Sequence, residues 1–342
     1  MNKRLIIIIA VVIVILAGVG GLLFAATRKQ QPKVAQSVPQ IKKVLDEAVI
    51  SPIPSFDNSA IWYFNSEGRL FRVNLDGSGL AEFPLPALSS GFLKKAMWPR
   101  TGSDFMALTG TGIAETKNYY DSNQKIYVNL PINIQSIDWL PDSKRVVYVW
   151  KSSDNLHQQL VMANADGSGF RVIKDVFWPD LTVKAASDGK TVLLYRSNPQ
   201  GDVNKIYSAN LDTEEFGTVI EQGKSLSAMW LPVGTRFVFT QTSLTAYPKL
   251  YLYDFATRQT VDLGLNTTLD KVTFDPEGKF MYAAVPKKDN TGDTFIKEDL
   301  TSFKLDTYFE PDPNTRATGL FLVGNQLYFI NSQDQKLYTI TK

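Results

Sequence analysis

Few residues in this chain have side chains suited to catalysis or metal binding. The 342 residues include no cysteine and one histidine, His157. Thiol catalysis, disulfides and zinc–thiolate sites are thereby excluded, as is any metal site built on two histidines. What recurs instead is a tetrapeptide, Asp76-Gly77-Ser78-Gly79 in LDGSGL and Asp166-Gly167-Ser168-Gly169 in ADGSGF. Residues of these types suit a calcium loop, a phosphate cradle or a tight turn. A calcium loop needs further carboxylates at alternate positions and a distal acidic ligand, which DGSGLAEFPL does not supply. A phosphate-binding glycine loop opens a helix, whereas strand-like residues follow both copies. The turn reading needs only an Asp that bonds its own backbone and a Gly that accepts positive φ.

Other routes to catalysis are similarly thin. No G-x-S-x-G elbow is present, and His157 has no partner motif. Two carboxylates brought together from distant segments remain a route to glycoside chemistry. No cofactor motif appears, so neither a cofactor nor a metal is expected.

Such residues need a scaffold, and the scaffold repeats. SIDWLPDSKRVVYVW (136–150) and KVTFDPEGKFMYAAV (271–285) each run an apolar strand into a turn and a second strand out of it. Pro141 and Asp142 form the turn in the first copy, and Pro276 lies in the second. Five further segments, at 51–65, 94–108, 183–197, 227–241 and 317–331, have the same form. The turn residues Asn58, Gly102, Ser143, Gly189, Gly234, Gly278 and Asn325 recur at intervals of 41 to 47 residues. A second turn keeps its own phase at Asp76, Asp121, Asp166, Asp212 and Asp254. Each copy thus holds four short strands, read in one copy as IDWL, RVVYVW, QLVMANA and FRVI. The first two are apolar almost throughout, as inner strands covered on both faces must be. Seven four-stranded units of this length predict an all-β, seven-bladed β-propeller over residues 48–342.

LPDSKRVVYVW followed by QLVMANADGSGFRVI resembles the TolB-type WD40-like (PD40) propeller repeat, roughly S-P-D-G-K-x-I-x-F and then I-Y-V-x-N-x-D-G-S. The resemblance is best over 137–175, fair at 229–263 and 272–285, and poor at 94–130. It implies a propeller and a binding role. TolB itself has six blades and an added α/β domain, so its partners are not carried over. Because the chain ends where the seventh C–D turn falls, the last blade needs an outer strand from elsewhere, and residues near 33–46 are the expected donor.

Before the propeller, Leu5 to Ala26 is 22 residues without a charge. As a helix it spans roughly 33 Å, enough for a hydrocarbon core of about 30 Å. Residues 1–4 form a short tail, 5–26 a transmembrane signal anchor in contact with membrane lipid, and 27–47 a stalk. A cleaved signal peptide is the alternative, although FAAT makes a poor cleavage site. The expected location is the cell membrane of a prokaryote, crossed once, with the C-terminal domain extracytoplasmic. A net charge of +2, with basic and acidic residues interspersed, argues against a nucleic-acid partner.

In a propeller the loops between second and third strands share one face with the between-blade connections, and ligands usually bind there. The candidate binding residues are therefore Trp178, Arg196, Asp202, Lys151, Tyr247 and His157, facing a protein, peptide or cell-wall glycan. Trp178 has a competing place packed against the next blade, and charged loop tips are often merely solvated. Trp98, Trp139 and Trp230, at one position of three copies, read as packing between blades. The expected function is a non-catalytic binding or scaffold module. The alternative is an extracytoplasmic carbohydrate hydrolase or lyase with carboxylates at the channel.

Overall fold

The computed structural model describes residues 39–341 apart from 89–90, 112–114, 155, 197–202 and 243–246. The expected membrane span, residues 5–26, lies outside the described residues. Among the described residues no helix is long and apolar enough to cross a membrane.

Twenty-eight strands, numbered in chain order from β1 (Gln40–Ala48) to β28 (Lys336–Thr341), form seven antiparallel sheets of four. The innermost strands are β2 (Ile50–Pro54), β6 (Phe92–Met97), β10 (Ile134–Trp139), β14 (Leu181–Ala185), β18 (Ser227–Trp230), β22 (Val272–Phe274) and β26 (Ala317–Val323). They head blades one to seven, and several touch directly: β26 with β22 and β2, β2 with β6, and β14 with β10 and β18. The weakly matching 94–130 copy is a complete blade, running from β6 to β9 (Ile126–Asn129).

The second strands explain the long apolar runs. In β15 (Thr191–Arg196) Val192 to Tyr195 are all buried, because both faces of the sheet meet a neighbouring blade. The core is accordingly divided among the blade interfaces. One cluster packs Val147, Val149 and Leu160 of blade three against Val183, Val192 and Leu194 of blade four. Burying such side chains contributes roughly 1.5–3 kcal/mol each.

Three tryptophans tie inner strands together. Trp98 Nε1 donates to Ser51 O at 2.9 Å, Trp139 Nε1 to Met97 O at 3.0 Å and Trp230 Nε1 to Lys184 O at 2.9 Å. Each bond runs from one blade to the one before it, so the regular spacing of these indoles is a packing device.

Turns obey the same economy. Asn58, Gly102, Ser143, Gly189, Gly234 and Gly278 all adopt positive φ between the first and second strands. The seventh turn differs from the expectation: Gly324, not Asn325, takes the left-handed conformation there. The two DGSG copies are alike bond for bond. Asp76 Oδ1 accepts from Ser78 N at 2.9 Å and Ser78 Oγ at 2.7 Å, and Asp166 accepts from Ser168 N and Oγ at the same distances. The repeated motif is a turn at the outer hairpin.

The last blade is ordered β26, β27 (Gln326–Asn331), β28, β1, so its outer strand comes from the other end of the described chain. Gln40 pairs with Thr341 and Ala48 with Lys336. The propeller therefore includes Gln40–Ala48, most of which falls in the stretch read as stalk. Gln40 lies at the end of the blade where β26 turns into β27, and whatever precedes it is joined to that turn face.

Candidate functional site

At the loop-face end, the inner strands of blades seven, one and two bound a cavity of about 420 Å³. Ser51 and Pro52 of β2, Lys94 and Lys95 of β6, and Gly319 to Phe321 of β26 line it. All three strands carry a register shift, between Ile50 and Ile53, Leu93 and Lys95, and Thr318 and Phe321. A bulge turns side chains out of strict alternation, which widens this part of the wall and aims lysines into it. Ser51 holds φ 51° at its bulge, and its Oγ accepts Ala96 N at 2.9 Å.

The electrostatics extend around the channel into blades three and four. The protein wall around Lys95 pushes its ammonium below the ordinary lysine range, and the Lys184 charge pushes it further. Asp138 and Glu115 pull the other way. Lys184 is held above its ordinary value by Asp138, against the cost of its own burial. Asp138 Oδ2 also accepts Ala185 N at 3.0 Å, so it links blade three to blade four. Lys94, Lys95 and Lys184 thus outnumber Asp138 and Glu115 along this arc, which suits an anionic ligand.

The residues picked out by sequence are scattered around the same face. Trp178 sits between blades three and four, stacked on Tyr207 at 4.3 Å and Phe216 at 5.8 Å. Its neighbour Phe177 is the exposed aromatic there, 84 % accessible. Lys151 ends β11 (Arg145–Lys151), half-buried, with its backbone clasped by Asn133 through bonds of 2.9 and 2.7 Å. Arg196 ends β15, and its Nε is buried without a hydrogen-bond partner among the described residues. No hydrogen bond or ion pair joins Lys151 to Arg196 among the described residues. Tyr247 lies beneath the Lys271 ammonium, 6.0 Å from its ring centroid, and its carbonyl accepts Asn266 Nδ2. His157 is exposed in a loop closed by Ser152. Asp202 falls outside the described residues.

Sequence reading missed Lys94, Lys95, Asp138 and Lys184, which lie on inner strands and not in loops. The detectable signal was a charge at an otherwise apolar first-strand position, as in FLKKAM and LTVKA. Among the described residues no group of three or more His, Cys, Asp or Glu side chains could hold a metal ion. Asp138 and Asp270 are each committed across a blade boundary. Asp138 accepts Ala185 N, and Asp270 Oδ2 accepts Thr318 Oγ1 at 2.6 Å.

No family model and no curated protein matches the chain. Solved structures do. An oligogalacturonate lyase in complex with manganese is similar at TM-score 0.64 and 12% identity, over 90% of this chain and 94% of that one. The β-propeller domain of the trilobed protease from Pyrococcus furiosus, which has an open velcro topology, is similar at 0.57 and 11%, over 86% and 95%. TolB from Acinetobacter baumannii aligns at 0.42 and 16%, over 88% and 65%. The first two likenesses establish the propeller fold.

Proposed function

We propose that this protein is a membrane-anchored, extracytoplasmic propeller that acts as a non-catalytic binding or scaffold module. Its ligand is an anionic protein segment, peptide or cell-wall glycan, taken at the loop-face end of the channel. The observation that carries this reading is the cavity at the three bulged inner strands, with Lys94 and Lys95 in its wall. The anchor rests on the uncharged stretch from Leu5 to Ala26. Chain connectivity supports the choice of face, because the segment before Gln40 joins the opposite one.

The test is photo-cross-linking in the membrane from residues placed at Lys95, Arg196 and Tyr247, with Asp76 and Asp166 as turn-face controls. One adduct recovered from the first three positions, and reduced in K95E, supports the reading. Equal labelling at both faces overturns it.

A second reading, a carbohydrate lyase or hydrolase, is favoured by one observation: Lys95 is pushed toward the neutral form that a proton-abstracting base requires. Release of unsaturated sugar products from polygalacturonate, lost in K95M, would select it over the binding module.

A further inference from the structure

The grooves between neighbouring blades open on the turn face, and an arginine occupies some of them. Arg236 begins β19 (Arg236–Gln241) opposite Asp254, the last residue of the third strand. Its guanidinium crosses to blade six, donating to Gly278 O at 3.1 Å and Leu300 O at 3.2 Å. Arg145 holds the same position in blade three, opposite Asn164, and folds onto Asp142 with Nε to Oδ2 at 2.6 Å. In blade one that position, opposite Asn74, is Ala60. The groove between blades one and two holds a cavity of about 380 Å³, against about 300 Å³ for the one that Arg145 lines between blades three and four.

The walls of this cavity are braced. Trp62 meets Phe83 edge to face at 5.6 Å. Trp98 is fixed by its bond to Ser51 O and by Phe105 at 5.1 Å. Phe56 stands at the rim, 57 % exposed. Into this aromatic enclosure comes Arg72, from β4 (Leu70–Asn74). One of its nitrogens, Nη2, donates to Ser59 Oγ at 3.1 Å, and no carboxylate lies within ion-pair reach of it among the described residues. Asp57 is already engaged by Ser55 Oγ, Ser59 N and Ser59 Oγ. The remaining guanidinium donors are thus left for an acceptor from outside, and their planar fork matches a carboxylate.

We propose that this cavity binds an aromatic carboxylate, with its ring among Trp62, Phe83 and Trp98 and its carboxylate on Arg72. The volume falls within the roughly 300–1,000 Å³ of ordinary ligand pockets, and the lining is largely apolar, with two charges: Arg72, and Asp57, whose oxygens are taken by Ser55 and Ser59. The carboxylate can be the C-terminus of a peptide ending in Phe, Tyr or Trp, or belong to a free aromatic acid. The site shares no residue with the lysine-lined cavity and lies on the other face, so it stands independently of the proposed function.

The test uses the full chain in detergent, titrated by calorimetry and by tryptophan fluorescence, since Trp62 and Trp98 report directly. The probes are acetyl-Gly-Gly-Phe with a free carboxylate, the same peptide as its C-terminal amide, and 3-phenylpropionate. The proposal expects saturable binding of a carboxylate probe, at least about tenfold weaker for the amide than for the free peptide. R72Q should remove that difference, S103W at the exposed rim should abolish binding, and K95E should leave it unchanged. Unchanged melting temperatures in R72Q and S103W would exclude unfolding. A peptide at least tenfold tighter than 3-phenylpropionate identifies a chain terminus as the source, and equal affinities identify the free acid. No saturable binding below about 1 mM, or equal affinity of acid and amide, overturns the proposal.

Discussion

A β-carbon placed on Gly77 would lie 2.2 Å from the carbonyl oxygen of Val44. The first DGSG turn therefore abuts the closing strand, backbone against backbone. Its counterpart Gly167 faces only the Leu130 side chain, at 3.2 Å. Both glycines have positive φ, 91° and 84°, so an alanine is strained at either. G167A should cost about 1 kcal/mol, as left-handed strain does. G77A should cost clearly more, because β1 must also move. Chemical denaturation of the two variants checks this, and equal costs would remove the closure contact from the account.

The inter-blade indoles make a second prediction. W139F keeps most of the buried ring but leaves Met97 O without its donor, which should cost about 1–3 kcal/mol. W178F, which keeps an aromatic ring stacked on Tyr207, should cost less than about 1.5 kcal/mol. Thermal melts of both variants test the distinction between a clamp and a stacked cover.

Lys271 and Asp293 form a buried pair near the loop face. Lys271 Nζ lies 2.9 and 2.8 Å from the two carboxylate oxygens, and Asp293 is 1 % exposed. Asp293 Oδ2 also accepts Ala317 N at 2.7 Å, tying blade six to blade seven. D293A strands both donors and should cost about 3–5 kcal/mol. K271M/D293A should recover part of that loss, measured by urea midpoints. A double variant no more stable than D293A would contradict the pairing.

Glu298 predicts a pH dependence. It is 2 % exposed, its Oε2 has no hydrogen-bond partner, and burial pushes its carboxyl from 4.5 up to about 7. Below about pH 4.5 the group is neutral in both folded and unfolded chains and costs nothing. Between 4.5 and about 7 the unfolded chain releases its proton while the folded chain retains it, so stability falls as pH rises. Above about 7 the penalty is constant. E298Q should flatten that decline, as seen in denaturation midpoints at about pH 4.5, 6 and 8. A decline of the same size in E298Q would exclude Glu298 as its source.

The architecture was readable because blades repeat. Ser143, Gly189 and Gly278 recur at one phase since each hairpin needs a left-handed residue, and a need that returns seven times leaves a period. The site was less readable for the opposite reason. Lys95 and Lys184 matter through their place beside an axis that no local pattern encodes, and bulges in β2, β6 and β26 shift side chains in ways that alternation rules cannot anticipate. Trp178 was open to both a ligand platform and packing, and its stacking partners Tyr207 and Phe216 lie 29 and 38 residues onward, beyond any local pattern. The cavity between blades one and two carries no local signal either, since Trp62, Phe83 and Trp98 come from separate segments of two blades.

Pairing Gln40 with Thr341 ties ring closure to the order of biosynthesis. The donor strand is made before every blade, and its partner β28 is made after every other strand of the propeller, so the ring stays open until β28 has left the ribosome. Thr341 Oγ1 donates to Gln40 O across 301 residues, and Tyr328 Oη to Leu75 O across 253. Closing a loop of that length is slow, and until it closes the β28 edge and the apolar flanks of blade seven stay uncovered. A nascent chain stalled or truncated before β28 would expose the edge of β27, a template for pairing with another copy. Quality control of this protein should therefore act on its last strand.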